Sequence, residues 1–391
     1  MRIVSAHLYA LRIPFKIPFS HKLMTRSYSD SIIVKLTADS GESGFGEGIP
    51  RPYVTGETVS SCLDQIRRIL LPLAEQHDLS EWGLNADPMT MLSEISTMLP
   101  DTGNDSVIAF NASKAAVEIA LIDVLLKQNG KSLASLIPPV RDSVIYSAVI
   151  TADSADNVRK IALKCGQYGI KQVKIKVGTG DDYGRIAAVR DTLGGSISLR
   201  VDANGAFDVK GALALISAIQ PFNIVSIEQP VPRGDVCALA QVKMNSSVPV
   251  MVDESLITEE DAAELIEKKA CDLFNLRISK NGGIFRTLRL AEMAREAGIG
   301  FQLGCQVGET AILSAAGRHV AAHLNDAKFV EGSYGALLLE EDIADESVQF
   351  GYDGKAPLLK GAGLFIRVLE DHLEKYAEKT KKYDTYHSST I

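Results

Sequence analysis

Features that would indicate several protein classes are missing from this 391-residue sequence. Its five cysteines are scattered and form no C-x-x-C pair, which favours reduced thiols over a disulfide or zinc framework. Lys and Arg number 41 against 49 Asp and Glu, with no basic cluster, so we expect no nucleic-acid partner. No apolar run reaches the roughly 18 residues of a membrane helix, and the N-terminus lacks a signal-peptide core. We therefore expect a cytoplasmic protein without membrane association.

The first 130 residues read as strands followed by helices. Residues 3–11 and 31–37 are strand-like, and helical periodicity covers 59–76 and 111–128. This order predicts an α+β module. The glycine-dense stretch at 44–48 lacks the spacing and the following helix of a dinucleotide-binding motif. We interpret it as a strand that another part of the backbone approaches closely.

From residue 143 onward, short apolar segments alternate with helical patterns such as 155–168 and 259–269. Runs of Val and Ile between helices are typical of a parallel sheet that helices cover on its faces. Eight such segments in about 190 residues favour a (β/α) barrel over an open sheet. The predicted strands are residues 144–151, 173–177, 197–203, 224–230, 248–254, 271–278, 299–305 and 328–331.

Polar residues recur at or just beyond the ends of these strands, at intervals of 25 to 27 residues. One β/α unit has about this length, so the residues should lie at equal heights at the C-terminal mouth, where barrels carry their active sites. Charged residues are almost never buried without partners, so six of them converging on one mouth indicate function rather than packing. The series is Lys176, Asp202, Glu228, Asp253, Lys280, Gln306 and Glu331.

Three carboxylates in this series fall on neighbouring strands, which lie about 4.8 Å apart. Asp202, Glu228 and Asp253 would repel one another, and they could not all ionise without compensation. A divalent cation resolves this conflict, and hard oxygen ligands suit Mg²⁺. Lys174 and Lys176 share one face of their strand, and neighbouring cations would lower a lysine's pKa enough for it to act as a base.

The order of these residues resembles the enolase superfamily, in its muconate lactonizing enzyme subgroup. The matching segments read VKIKVG at 173–178, VDAN at 201–204, IEQP at 227–230, VDES at 252–255 and SKNGG at 279–283. The resemblance implies an α/β fold, a modified (β/α)₇β barrel over residues 131–355. It also implies an N-terminal α+β capping domain (1–130), which the C-terminal segment (356–391) completes.

The resemblance further implies one essential Mg²⁺, replaceable by Mn²⁺, and an enediolate formed from a small carboxylate substrate. Lys176 and Lys280 would be the acid/base residues on opposite sides of that substrate, and Lys174 would tune Lys176. Capping-domain loops near 15–28 and 49–57 would supply specificity, and a homo-oligomer is expected. The substrate-binding residues expected are Glu331, Arg51, Tyr53, Asn204, Gln306 and Glu309.

The shared residues do not separate the reactions of this subgroup. Dipeptide epimerases usually carry Asp-x-Asp at the eighth strand to bind the substrate ammonium, whereas this chain has only Glu331 there. Three lysines and a metal favour a dianionic substrate, so the main prediction is a muconate cycloisomerase-like activity. A dipeptide epimerase, an N-acylamino acid racemase and an o-succinylbenzoate synthase stay open as alternatives. A non-catalytic barrel that binds carboxylates or metal is the alternative from a different class.

Overall fold

An antiparallel sheet begins the chain in this computed structural model. It contains β1 (Ile3–His21), β2 (Met24–Ala38) and β3 (Ser43–Gly48), in that order. The β1–β2 hairpin has a register shift between Pro14 and Phe19. The structure describes residues 1–21, 24–77, 87–151, 154–345 and 348–378.

Four helices follow the sheet: α1 (Val59–Gln65), α2 (Leu71–Gln76), α3 (Pro88–Met98) and α4 (Asn111–Gln128). The predicted helix at 59–76 is confirmed, although its middle turn, Ile66–Leu70, is π-helical. The predicted helix at 111–128 is confirmed to the residue. The sequence reading missed α3.

Helix α4 packs against β3 so closely that the strand tolerates no side chain on that face. A Cβ at Gly46 would overlap the carbonyl oxygen of Ala116 and lie 2.6 Å from the amide nitrogen of Ala120. Gly44 and Gly48 meet the same helix backbone in the same way. The interpretation of residues 44–48 as a strand under close backbone approach is therefore confirmed.

Seven parallel strands form the barrel in the order of the chain, with the carboxyl ends at one mouth. The chain 328–331 takes the eighth place without forming a full strand. Leu303 makes a parallel bridge to Val330, and the Ser147 amide donates to the Val330 carbonyl at 2.8 Å, which closes the ring. The strands are β5 (Ala148–Ile150), β6 (Gln172–Lys176), β7 (Ser198–Asp202), β8 (Ile224–Glu228), β9 (Val250–Val252), β10 (Leu273–Leu276) and β11 (Gly300–Leu303).

The first predicted barrel strand, 144–151, is divided in two. Its beginning is β4 (Ser143–Ile145), which pairs antiparallel with β12 (Lys355–Pro357), and only its end, β5, joins the barrel. The two halves of this segment therefore pair with strands of different sheets. The alternation of apolar residues along the sequence does not reveal where one sheet ends and the other begins.

Helices connect the barrel strands and cover the outside of the sheet. The predicted helices at 155–168 and 259–269 are confirmed, and their starts carry side-chain caps from Ser154 and Thr258. The helices are α5 (Ala155–Gln167), α6 (Asp182–Leu193), α7 (Val209–Ala218), α8 (Val236–Asn245), α9 (Glu259–Glu267), α10 (Ile284–Glu296) and α11 (Ala311–His323). Two short helices follow the barrel and contact β1: α12 (Gly335–Leu338) and α13 (Glu370–Tyr376).

The C-terminal segment returns to the first sheet, as predicted. Leu11 of β1 bridges to Ala377, and the Glu378 amide donates to the Ala10 carbonyl at 3.0 Å. Residues 379–391, which include the predicted polar end, lie outside the described residues. The domain boundaries at 130 and 355 stay predictions. No helix in the described part of the chain is both long and apolar enough to cross a membrane.

Candidate active site

Charged residues of the sequence repeat lie side by side at the carboxyl ends of β6, β7 and β8. Lys176 pairs in register with Asp202, and Asp202 pairs with Glu228. Glu228 lies opposite Met251 of β9, so Asp253 follows at the next strand end. All of these charged side chains are buried. The equal heights expected from the spacing are therefore found for this part of the series.

Lys174 and Lys176 bind different acids although they share one strand face. The Lys176 amine donates to Asp202 Oδ2 at 2.6 Å and to Asn204 Oδ1 at 2.7 Å. The Lys174 amine donates to Glu228 Oε2 at 3.0 Å, and it lies 3.2 Å from Asp202 Oδ2. Both lysines therefore compensate carboxylates that were predicted as metal ligands.

The charges at this mouth are unevenly compensated. Burial opposes the charge of Lys174, but Glu228 and Glu331 outweigh it and raise the pKa of this lysine well above its usual value. Burial raises the pKa of Glu228 to about 7, and the neighbouring carboxylate of Asp202 adds to the rise. For Asp202 the effect of burial is outweighed by Lys176 and Lys174, which hold its pKa below the usual range. The charged form is thus favoured at Lys174 and Asp202 and disfavoured at Glu228.

Two arginines that the sequence reading missed complete the charge network. Arg277 follows β10, donates to Asp253 Oδ2, and lies 3.5 Å from Glu228 Oε1. Arg200 of β7 donates to Glu331 Oε1 at 2.8 Å. Strand alternation could have found both, because Arg200 lies two residues before Asp202 and Arg277 two residues after a buried strand position.

Lys280 does not reach the open part of the site. Its side chain is 0% exposed, and its amine binds the carbonyl oxygens of Asp253 and Asn275, each at 2.8 Å. Asp253 Oδ1 is a third acceptor at 3.0 Å. Burial lowers the pKa of Lys280, and Asp253 works against that change.

A cavity of about 440 Å³ leads from the strand ends to the capping sheet. Its polar lining includes Lys176, Arg277 and Glu254, whose Oε2 is buried without a hydrogen-bond partner. Its apolar lining includes Phe19 of the β1–β2 hairpin and Leu338 of α12. The cavity therefore suits a molecule with a charged end and an apolar end.

The predicted substrate-binding residues divide into two groups. Tyr53, Asn204, Gln306 and Glu331 line the cavity, and so do residues of the loops expected near 15–28 and 49–57, of which residues 22 and 23 lie outside the described residues. Arg51 and Glu309 are absent from its described lining.

Arg51 and Glu309 lie behind the cavity wall. The Arg51 guanidinium is buried and donates to the carbonyl oxygens of Pro50 at 2.8 Å and Val307 at 2.5 Å. Glu309 accepts from the Gln306 amide at 2.6 Å, and burial raises its pKa to about 8. Both side chains hold loops beside the site, and direct contact with a substrate stays a prediction for them.

As the side chains stand, no group of three or more His, Cys, Asp or Glu within the described ranges is arranged to hold a metal ion. Lys174 lies between Asp202 and Glu228, and Arg277 lies between Glu228 and Asp253. These cations occupy the carboxylate oxygens that a metal would need.

Comparison with known proteins identifies the family. A profile described as "Enolase C-terminal domain-like" matches residues 157–372. The chain is 32% identical to the N-succinyl-L-Arg/Lys racemase of Bacillus cereus over 384 residues, 96% of this chain and 98% of the racemase. The crystal structure of that racemase superposes with a TM-score of 0.86. The chain belongs to the enolase superfamily.

Other superfamily members similar to this chain are also isomerases. The hydrophobic dipeptide epimerase of Enterococcus faecalis is 33% identical over 325 residues, 82% of this chain and 87% of the epimerase. Its structure, solved with Mg and the dipeptide L-Leu-L-Tyr, has a TM-score of 0.82 at 29% identity and covers 94% of this chain and 99% of that one. Muconate lactonizing enzyme of Pseudomonas fluorescens, solved with muconolactone, has a TM-score of 0.85 at 29% identity over 96% and 99% of the two chains.

This chain is therefore an isomerase of the enolase superfamily, and its barrel with a capping domain is the predicted fold. The non-catalytic barrel finds no support among these relatives. The curated relatives are mainly epimerases and racemases, which support the alternatives named from the sequence better than the main prediction of a muconate cycloisomerase-like activity.

Proposed function

We propose that the enzyme is a racemase or epimerase that acts on a small carboxylate. The carbon beside the carboxylate group would carry an amide nitrogen and an apolar side chain. The observation that carries this proposal is the cavity, whose lining combines the charged side chains of Lys176 and Arg277 with apolar residues that include Phe19 and Leu338. The similarity to an N-succinyl-L-Arg/Lys racemase supports the amide nitrogen, and the similarity to a hydrophobic dipeptide epimerase supports the apolar side chain.

Lys176 is the proposed base. Its neutral amine would remove the proton from the carbon beside the carboxylate group, and Asp202 and Asn204 would hold the amine in position. Both of these contacts are shorter than 3 Å, so the amine has little freedom to turn away from the cavity. General-base catalysis of this kind contributes about 10²- to 10⁴-fold in rate.

Mg²⁺ is the proposed cofactor, bound by Asp202, Glu228 and Asp253. The donor set fits, because buried carboxylate oxygens on adjacent strand ends are the hard ligands that Mg²⁺ prefers. The buried Oε2 of Glu254, which has no hydrogen-bond partner, also indicates negative charge beside these ligands that the described side chains leave uncompensated. Bound Mg²⁺ would supply the positive charge that offsets the charge developing on the substrate carboxylate.

An N-acylated amino acid fits the cavity better than a dipeptide with a free amine. Glu331, the single acid at the eighth strand, already binds Lys174 through one oxygen and Arg200 through the other. It is therefore not free to hold a substrate ammonium. Lys164 at the cavity edge adds further positive charge.

A substrate panel in D₂O with Mg²⁺ tests this proposal. N-acetyl and N-succinyl derivatives of leucine and phenylalanine should lose their α-proton signal in NMR spectra, and L-Leu-L-Tyr should react more slowly. Lys176→Ala should reduce the exchange rate by at least a hundredfold, whereas Lys160→Ala, at an exposed lysine of α5, should leave it unchanged. Efficient turnover of dipeptides with inert N-acyl compounds would overturn the proposed substrate class.

Cycloisomerisation of a dicarboxylate is a second candidate, and one observation favours it. Of the predicted acid/base pair, only Lys176 lines the cavity, and a reaction confined to one side of the substrate needs only one lysine. Adding cis,cis-muconate to the panel tests this candidate directly.

A further inference from the structure

We infer that Arg277, and not Lys280, is the cationic side chain that faces the substrate from the sixth strand, on the side opposite Lys176. The inference deepens the proposed function and rests on it for the identity of the substrate. In this assignment Arg277 binds the substrate, and Lys280 stabilises the packing of neighbouring barrel strands.

Lys280 has no capacity left for a substrate. An ammonium group has three N–H donors, and three acceptors surround this one: two backbone carbonyls and the Asp253 carboxylate. The carbonyls belong to Asp253 and Asn275, so the amine links the chain after β9 to β10. The enclosed position, with 0% exposure, agrees with a positioning residue.

The turn after β10 explains why Lys280 faces the wall. The Asn281 amide donates to the Arg277 carbonyl at 2.9 Å, and the Arg277 amide donates to Asn281 Oδ1 at 2.8 Å. This helical turn reverses the chain within a few residues. It ends at Gly283, which has a φ of 120° and is packed so tightly against Glu118 that a Cβ would lie 2.8 Å from Oε1.

Arg277 continues the inward face of β10. Asn275, two residues earlier, already faces the barrel interior, where it donates to Glu228 Oε1 at 2.7 Å. The Arg277 guanidinium lines the cavity and lies 3.3 Å from Gln306 Oε1. A guanidinium has five N–H donors, and the hydrogen bonds to Gln306 and Asp253 use two of them, so this fork retains donors for an incoming carboxylate.

An arginine in place of a lysine on this side of the substrate changes which groups can donate and accept protons in the reaction. Lys176 as a neutral amine takes the proton from the substrate, the C–H electron pair moves into the enediolate, and the lysine becomes an ammonium. A guanidinium stays protonated in proteins, so Arg277 binds the negative charge but does not exchange protons. Inversion then needs a water molecule to deliver the proton on the Arg277 side. Proton exchange with retention should therefore outpace inversion.

The test follows both enantiomers of the best panel substrate in D₂O with the full chain and Mg²⁺. For wild type, one enantiomer should exchange its α-proton at least tenfold faster than it inverts, and the other should exchange no faster than it inverts. Arg277→Lys should raise the ratio of inversion to exchange, because it places an amine on the second side. The inference would be overturned if wild type exchanged the α-protons of both enantiomers at equal rates and Lys280→Met abolished the exchange of one enantiomer.

A binding measurement separates the two residues independently of turnover. By calorimetry with N-acetyl-L-leucine as the probe, Arg277→Gln should weaken binding at least tenfold, whereas Lys280→Met should lower the melting temperature and leave the affinity of the folded protein nearly unchanged. The reverse pattern would contradict the inference. Wild type that binds the probe but exchanges no panel compound contradicts only the proposed function, since the two variants still reveal which side chain faces the ligand.

Discussion

Lys174 and Glu331 form a buried ion pair across the barrel, with Nζ 2.9 Å from Oε2, although 157 residues separate them in the chain. Arg200 binds the other oxygen of Glu331. One carboxylate thus compensates two cations that burial isolates from water, so the eighth segment is connected to β6 and β7 by charge as well as by the backbone.

Replacing this carboxylate should be costly for folding. Glu331→Gln leaves Lys174 and Arg200 without their shared anion and should lower the free energy of unfolding by about 3 to 5 kcal/mol. Asp326→Asn is the matched control, because it breaks the pair with Arg295 at the surface, which is worth less than about 1 kcal/mol. Urea unfolding measures both changes, and equal losses would contradict the assignment.

Removal of metal should abolish turnover if the three carboxylates hold Mg²⁺. Excess EDTA should stop proton exchange, and added Mg²⁺ or Mn²⁺ should restore it. Asp253→Asn should weaken Mg²⁺ binding to the metal-free protein, measured by calorimetry, because a third of the anionic ligands is lost. Asp39→Asn, at an exposed aspartate in the turn after β2, provides the control. Full activity in EDTA would rule out the metal site.

Glu309 should make stability depend on pH. Burial raises its pKa from 4.5 to about 8, so the folded protein keeps a proton that the unfolded chain releases. Its stabilising contribution is therefore complete below about pH 4.5 and is lost as the pH rises towards 8, at up to about 1.4 kcal/mol per pH unit.

Comparison of variants isolates this effect. In urea unfolding of metal-free protein between about pH 5.5 and about pH 7.5, which lies inside the range where the two states differ in protonation, Glu309→Gln should flatten the fall in stability with pH. Glu296→Gln, at an exposed glutamate of α10, should leave the slope as it is in wild type. Identical slopes in all three proteins would show that Glu309 ionises normally.

Close packing of α4 on β3 predicts a large cost for a single methyl group. Gly46→Ala should destabilise the protein by about 3 kcal/mol, because the new Cβ meets backbone atoms that cannot move separately. Gly195→Ala, where a Cβ has no atom within 4 Å, should change stability by less than about 0.5 kcal/mol. Thermal unfolding of the two variants checks the difference.

The fold was predictable from the sequence where a helix or strand packs in the same surroundings along its whole length. Helix α4 is apolar enough over 111–128 to be recognised from periodicity alone, and regular β/α units gave the barrel. The split of β4 from β5 depends on β12, about 200 residues away, and no local pattern carries that information. Helix α3 was missed although it begins with Pro88, a residue that favours the first position of a helix.

Spacing in the sequence located the strand-end acids but misled about the sixth strand. Asp253 and Lys280 are 27 residues apart, close to the repeat, whereas Asp253 and Arg277 are 24 apart. The turn after β10 carries Lys280 out of the cavity, which a count along the chain does not register. Asn275 and Arg277 are two residues apart and so share one face of the strand, and this pattern was the better indication of which cation faces the cavity. The apolar cavity wall was beyond prediction, because its residues come from segments as distant as Phe19 and Leu338.

The position of α4 determines how the capping sheet and the barrel can move relative to each other. Its Asp123 carboxylate accepts from the amides of Phe45 and Leu364, and its Glu118 accepts from the amide of Ile284. One helix thereby joins the first sheet, a barrel helix and the C-terminal segment. Opening of the cap as a rigid lid, with α4 and the C-terminal segment moving together with the first sheet, would still break the buried bond from the Ile284 amide to Glu118. Substrate must therefore enter through local fluctuations of the hairpin and loops at the cavity rim, and heat should unfold both parts in a single cooperative step.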